Sequence, residues 1–172
     1  MHDRRTGTEE RVGVRADGTP SPQYAMPATL SADGTRVAFR SFDDALAPGE
    51  APDSSGLYVR DLDRDVTLRL ETAPGTELHD EPVISPDGGH VAYVAAPRLP
   101  DGTRAPANAY LYDLRTGTSR PISESVTGGP VTDAGVRVSA VTEGARHIGF
   151  GSGSAQLVAD DGSDDGFVRR LR

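Results

Sequence analysis

One pattern recurs at a spacing of about fifty-five residues, and a fixed period of that length constrains a fold more than any composition figure. Leu30-Ser31-Ala32-Asp33-Gly34-Thr35-Arg36-Val37-Ala38-Phe39 returns as Ile84-Ser85-Pro86-Asp87-Gly88-Gly89-His90-Val91-Ala92-Tyr93. A looser third copy spans Ala140 to Phe150 and reads as carrying one inserted residue, with Glu143 in place of the turn aspartate. The closing aromatics Phe39, Tyr93 and Phe150 lie 54 and 57 residues apart. A second signature follows each copy in the same order. Leu57-Tyr58-Val59-Arg60-Asp61-Leu62 matches Tyr110-Leu111-Tyr112-Asp113-Leu114 and, more loosely, Phe167-Val168-Arg169-Arg170-Leu171. Behind it comes a turn, Asp63-Arg64-Asp65 or Arg115-Thr116-Gly117, and the chain opens on the same turn as Arg5-Thr6-Gly7.

Each unit reads as four strands. Strand a ends at the Asp-Gly turn, whose residues suit a tight hairpin. Strands b and c are the Val-Ala-Phe and Tyr-Val-Arg-Asp-Leu runs, and strand d is 66–70 or 118–122. With 20 glycines and 13 prolines dividing short runs, the composition agrees with many strands and turns. A four-stranded antiparallel unit at this period predicts an all-β chain, a β-propeller arc of about three blades. A sandwich with similar hairpins is the alternative, and the ordered recurrence of two signatures favours the propeller. The expected layout is an outer strand of a split blade at 1–14, blades at 27–71 and 81–123, and a third at 135–172 without its outer strand.

These motifs resemble the TolB-type, WD-like propeller repeat, whose blades carry a Ser-Pro-Asp-Gly turn followed by a Tyr-Val-Arg-Asp-Leu strand. The resemblance runs over nearly the whole chain and weakens in the third copy. It implies a propeller fold and a role as a protein-interaction platform.

Three blades fall short of the usual ring minimum of about four. An isolated arc is expected to show an apolar face at each end and a bare strand edge, which invites association. Three readings follow: a slice of a longer propeller, a homodimer closing a six-bladed ring by exchange of the strand at Thr8–Val14, or a monomer with a rearranged third blade. The first residues lack an apolar leader, so the chain as written is expected in the cytoplasm, or in the periplasm or secreted if it is cut from an exported protein.

In the propeller reading the long loops gather on one face. Their formal charges are −4 for 42–55, −3 for 72–81, −2 for 124–134, −4 for 151–165, +1 for 96–108 and zero for 15–26. That face totals −12, which leaves +4 for the rest of a chain of net charge −8. Asp43, Asp44, Glu50, Asp53, Glu77, His79, Asp80 and Glu81 are therefore the candidate contacts for a protein or peptide partner. Simple solubility is the competing explanation for the same charge.

The acidic balance argues against nucleic acid as a partner, and no apolar run is long enough for membrane insertion. All 18 basic residues are arginine, so lysine-dependent Schiff-base and P-loop chemistry is absent, and the lack of cysteine removes disulfides and thiolate catalysis. Asp161, Ser163 and Asp165, followed by Gly166, resemble the first half of a calcium loop, but Arg172 occupies the place of the bidentate Glu. Calcium is thus the one cofactor considered, against a solvated turn. The enzymatic alternative, a propeller-scaffold hydrolase or lyase, would use His79, Asp80 and Glu81. His90 and His147 share one column of the repeat and read as surface positions.

Overall fold

The computed structural model describes residues 2–3, 6–23, 25–26, 28–48, 55–158 and 164–171. The strands in chain order are β1 (His2–Asp3), β2 (Thr8–Glu9), β3 (Thr29–Leu30), β4 (Arg36–Ser41), β5 (Gly56–Asp61), β6 (Val66–Leu70), β7 (Thr76–Leu78), β8 (Val83–Ile84), β9 (His90–Pro97), β10 (Asn108–Asp113), β11 (Thr118–Pro121), β12 (Val136–Val141), β13 (His147–Ser152) and β14 (Asp165–Arg170). They form three antiparallel meanders: β3-β4-β5-β6; then β7 and β8 beside β9, β10 and β11; then β12-β13-β14. Two-residue alternation explains the stacking. In β5, Leu57 and Val59 face the second sheet, while Tyr58 joins Val37, Phe39 and Leu46 on the other side. The second sheet sends Val91, Tyr93 and Ala95 toward the first, and Ala92, Ala109 and Leu111 toward the third. Both faces of its middle strands are therefore covered, as in the blades of a β-propeller.

The turn between the two inner strands explains the repeat chemically. Ser31 Oγ donates to Asp33 Oδ1 at 2.6 Å and accepts the Arg36 N–H at 3.0 Å, while Asp33 Oδ1 also accepts the Thr35 N–H at 3.0 Å. Ser85 and Asp87 repeat this arrangement, with the His90 N–H on Ser85 Oγ at 2.9 Å. In the third copy Thr142 Oγ1 receives the His147 N–H at 2.9 Å. That contact corrects the reading of an inserted residue. Thr142 takes the serine place, Gly144 rather than Glu143 holds the aspartate place, and Ala145 occupies the position of Gly34 and Gly88. Ala145 accordingly has φ 49°, beside 76° and 66° for the two glycines. The turns are also joined sideways. The Ala32 N–H reaches the Pro86 carbonyl at 2.8 Å, and the Gly144 N–H reaches Asp87 Oδ2 at 3.0 Å.

The two ends of the stack differ from the apolar faces expected of an isolated arc. The outer side of the first sheet is covered by the segment carrying Val12 and Ala25. The outer side of the third sheet presents Arg137, His147, Gly149, Gly151, Val168 and Arg170, of which only Val168, at 75% exposure, is large and apolar. At the N-terminus, β2 is shorter than the Thr8–Val14 strand expected, and it pairs with β1. This hairpin reproduces the corner between β10 and β11: Asp3 lies opposite Thr8 as Asp113 lies opposite Thr118. The hydroxyl contact Thr6–Thr8 at 2.7 Å likewise matches Thr116–Thr118 at 2.8 Å.

Two substitutions test the local geometry. Ala145→Gly relieves a left-handed alanine but deletes its buried methyl, and the two should offset to within about 1 kcal/mol in urea unfolding. Gly56→Ala should lower stability by about 1–3 kcal/mol, through overpacking. A Cβ at Gly56 would lie 2.7 Å from the Tyr58 ring, which is held by its hydroxyl on the Asp43 carbonyl at 3.0 Å.

Candidate functional site

Acidic residues lie in the loop after β4, in β7 and in the segment between β11 and β12, and the structure uses several of them internally. Asp43 is 1% exposed. It accepts the Arg15 guanidinium through Nε at 2.9 Å and a terminal nitrogen at 3.0 Å, and it caps the short 3-10 turn Asp44–Leu46 through the Ala45 N–H. Glu77 sits between Arg98 at 2.6 Å and Arg104 at 2.7 Å, so β7 anchors the loop that follows β9. Glu124 pairs with Arg169 at 2.6 Å, and Asp133 accepts Ser154 Oγ and the Ala155 N–H. Three of these carboxyls are held below their ordinary range: Asp43 by the Arg15 hydrogen bond, Glu77 by Arg98 and Arg104, and Asp133 by the Ser154 hydroxyl. Each acid ties a loop to the sheet, and arginine, with its bidentate fork, suits that task.

Asp44, His79 and Glu81 remain exposed, and Asp80 is half-buried beside His79. His79, Asp80 and Glu81 occupy an interruption of the inner strand of the second sheet. Leu78 lies opposite Ala95 and Val83 opposite Ala92, so four residues, 79–82, face two on β9. This two-residue bulge carries His79 and Glu81 outward. It is fastened on both sides: Arg40 donates to the His79 carbonyl at 2.8 Å, and Thr29 Oγ1 donates to the Pro82 carbonyl while accepting the Ile84 N–H, both at 3.0 Å. His79 Nδ1 lies 3.5 Å from Asp80 Oδ1. Glu50, Asp53, Asp161 and Ser163 lie outside the described residues, and Asp165 begins β14 at an exposed position. Among the described residues no three acidic or histidine side chains converge as a metal site. No helix among them is long and apolar enough to cross a membrane.

A second place was not singled out from the sequence. On the short-turn side a cleft of about 570 Å³ opens between the first two sheets, lined among others by Arg36, Asp61, Arg64, His90, Asp113 and Arg115. The register makes it: Arg36 lies opposite Asp61 and His90 opposite Asp113, so the two recurring columns meet. His90 is thus not a plain surface residue, and its Nδ1 is buried without a partner among the described residues. The sequence signal was the coincidence of the Arg/His column with the strand-c aspartate. Burial pushes Asp113 up, but the N–H groups of Arg115 and Thr116 and the neighbouring His90 and Arg115 bring it below its usual value.

Solved structures share this architecture. The tricorn protease superposes with a TM-score of 0.56 at 14% identity, over 88% of this chain and 12% of that one. A prolyl endopeptidase gives 0.53 at 15% identity, over 90% of this chain and 21% of that one. The β-propeller domain of the trilobed protease from Pyrococcus furiosus gives 0.46 at 14% identity, over 86% of this chain and 43% of that one. The chain thus spans less than half the length of each of these proteins. No family model matches it, and no curated protein matches it by sequence. The fold is that of a β-propeller.

The depressed carboxyls set the acid limb of stability. Their folded pKa values lie below the unfolded ones, so the unfolded chain takes up protons first and stability declines as pH falls. Unfolding free energy should be level near neutrality and drop below about pH 4. Asp43→Asn, by removing one such group, should make that drop shallower in urea titrations at stepped pH.

Proposed function

We propose that this chain is a non-enzymatic, TolB-like propeller segment that docks a protein or peptide at the long-loop face, centred on the bulge 79–82. The observation that carries the reading is the bulge itself. Glu81 is exposed and Asp80 partly exposed on an inner strand that Arg40 and Thr29 fasten from the neighbouring sheet. A carboxylate pair displayed on rigid backbone loses little freedom when a cationic side chain meets it. The acidic surplus read from the sequence narrows accordingly. Asp43, Glu77 and Glu124 are matched by arginines, so recognition falls to Asp80 and Glu81, with Asp44 at the side. The TolB-type name rests on the Ser-Pro-Asp-Gly and Tyr-Val-Arg-Asp-Leu motifs and on the propeller fold.

The enzymatic alternative would use His79, Asp80 and Glu81 as acid–base groups. A fluorescent octapeptide of alternating arginine and glycine separates the readings. The docking account expects saturable binding that weakens with added salt, with no cleavage of the peptide. Asp80→Asn together with Glu81→Gln should weaken binding about fivefold or more, as expected for loss of two charge-assisted contacts. Equal binding by the double variant and the parent chain would contradict the docking site, and turnover of the peptide would favour the enzyme.

A further inference from the structure

We propose that the outer strand of the first sheet, β6, is a self-complementary edge on which a second copy of this chain docks, the two β6 strands pairing antiparallel about a two-fold axis. β6 ends the strand order of its sheet, so one side of Val66–Leu70 offers backbone N–H and C=O groups to an added strand. The other outer strands are blunted. In the second sheet Pro121 takes the place of Arg69: each lies opposite the tyrosine, Tyr110 or Tyr58, that stacks on Tyr93 or Phe39. That proline removes a donor from β11. β14 carries two adjacent arginines, Arg169 and Arg170. β6 has no proline, and Val66 and Leu68, 42% and 45% exposed, share one of its faces.

The occupant follows from the register. Centred on Thr67, an antiparallel pair sets Thr67 against its own copy and, twice over, Val66 against Leu68 and Asp65 against Arg69. The exposed apolar residues then cover one another on one face. On the other face the hydroxyls meet in the middle and an ion pair closes each end. Asp65 is placed for this role: its carboxylate is bonded to Arg60, yet its side chain is 85% exposed. Arg69 is steadied over the Tyr58 ring, 5.9 Å from its centroid. A one-residue slip would set Val66 against Arg69 and Thr67 against Leu68, and a two-residue slip would set Asp65 against Glu71, so the register is specified. A strand complementary to itself in this way makes the isologous contact of a two-fold dimer.

Sedimentation equilibrium of the whole chain tests the contact. Between about 10 μM and about 1 mM the mass should rise reversibly from 18.1 kDa toward twice that value. Arg69→Pro copies the edge of β11 and should raise the dissociation constant about tenfold or more. The chain has no cysteine, so Thr67→Cys reads the register cleanly. At a self-paired position the two thiols fall within disulfide range, and mild oxidation should give a covalent dimer at least about tenfold faster than for Leu68→Cys. Should Arg69→Pro fail to fold, the comparison of the two cysteine variants decides alone. A monomer throughout that range, a dimer that Arg69→Pro leaves intact, or oxidation no faster at position 67 than at 68 would overturn the proposal.

Discussion

Six consecutive side chains of β9, Val91 to Ala96, are buried to 0–1% exposure. A strand buried on both faces cannot exist in a lone sheet, so this run obliges a neighbour on each side. Tyr93 fills the side toward the first sheet, while Ala92 and Ala96 keep the other side thin. Tyr93 ends its reach in hydrogen bonds, donating to Ser119 Oγ at 2.9 Å and accepting the Ala73 N–H at 2.9 Å, so its polar tip is not orphaned. The first and third sheets follow from that requirement. Their own apolar faces, Leu57 and Val59 on one and Ile148 and Phe150 on the other, are turned toward β9 and its partner.

Hydrophobic stacking sets spacing but not register between sheets, and polar contacts supply the register. Backbone and aspartate bonds join successive a–b turns, while Arg36 donates to the Gly88 carbonyl at 3.0 Å across the same boundary. Within each sheet the residue ending strand c reaches back to the inner turn. Leu62, Leu114 and Leu171 donate to the carbonyls of Thr35, Gly89 and Arg146 at 2.8, 3.0 and 2.9 Å. At the opposite face, arginine–carboxylate pairs tie down loops that would otherwise be free. A chain whose cations are all arginine is suited to such fixed, forked contacts.

The fold was largely legible because the repeat encodes its own turn chemistry. Ser31 with Asp33, and Ser85 with Asp87, form the contacts their spacing implied, and strand β6 coincides with the expected 66–70. The third turn is not legible in the sequence, because Ala145 adopts a left-handed conformation that an alanine does not advertise and the residues around it therefore suggest an insertion. The site was less legible, since formal charge says nothing about partners. Asp43 and Glu77 looked like free acids until the fold brought Arg15 over twenty-eight positions and Arg98 over twenty-one. The bulge at 79–82 was likewise hidden: Leu78 and Val83 both sit on the edge of β9, and only the pairing shows the two surplus residues.

The central claim is that the first two sheets stabilise one another as a single unit through β9. Native-state hydrogen exchange tests it most directly. The account predicts that the amides of Ala38, Tyr58, Val91, Tyr93 and Leu111 exchange with one common free energy, equal to that of global unfolding, while amides in β14 exchange earlier. If the first sheet instead exchanged as a separate, weaker unit while β9 and β10 stayed protected, the two sheets would be independent and the account would be wrong.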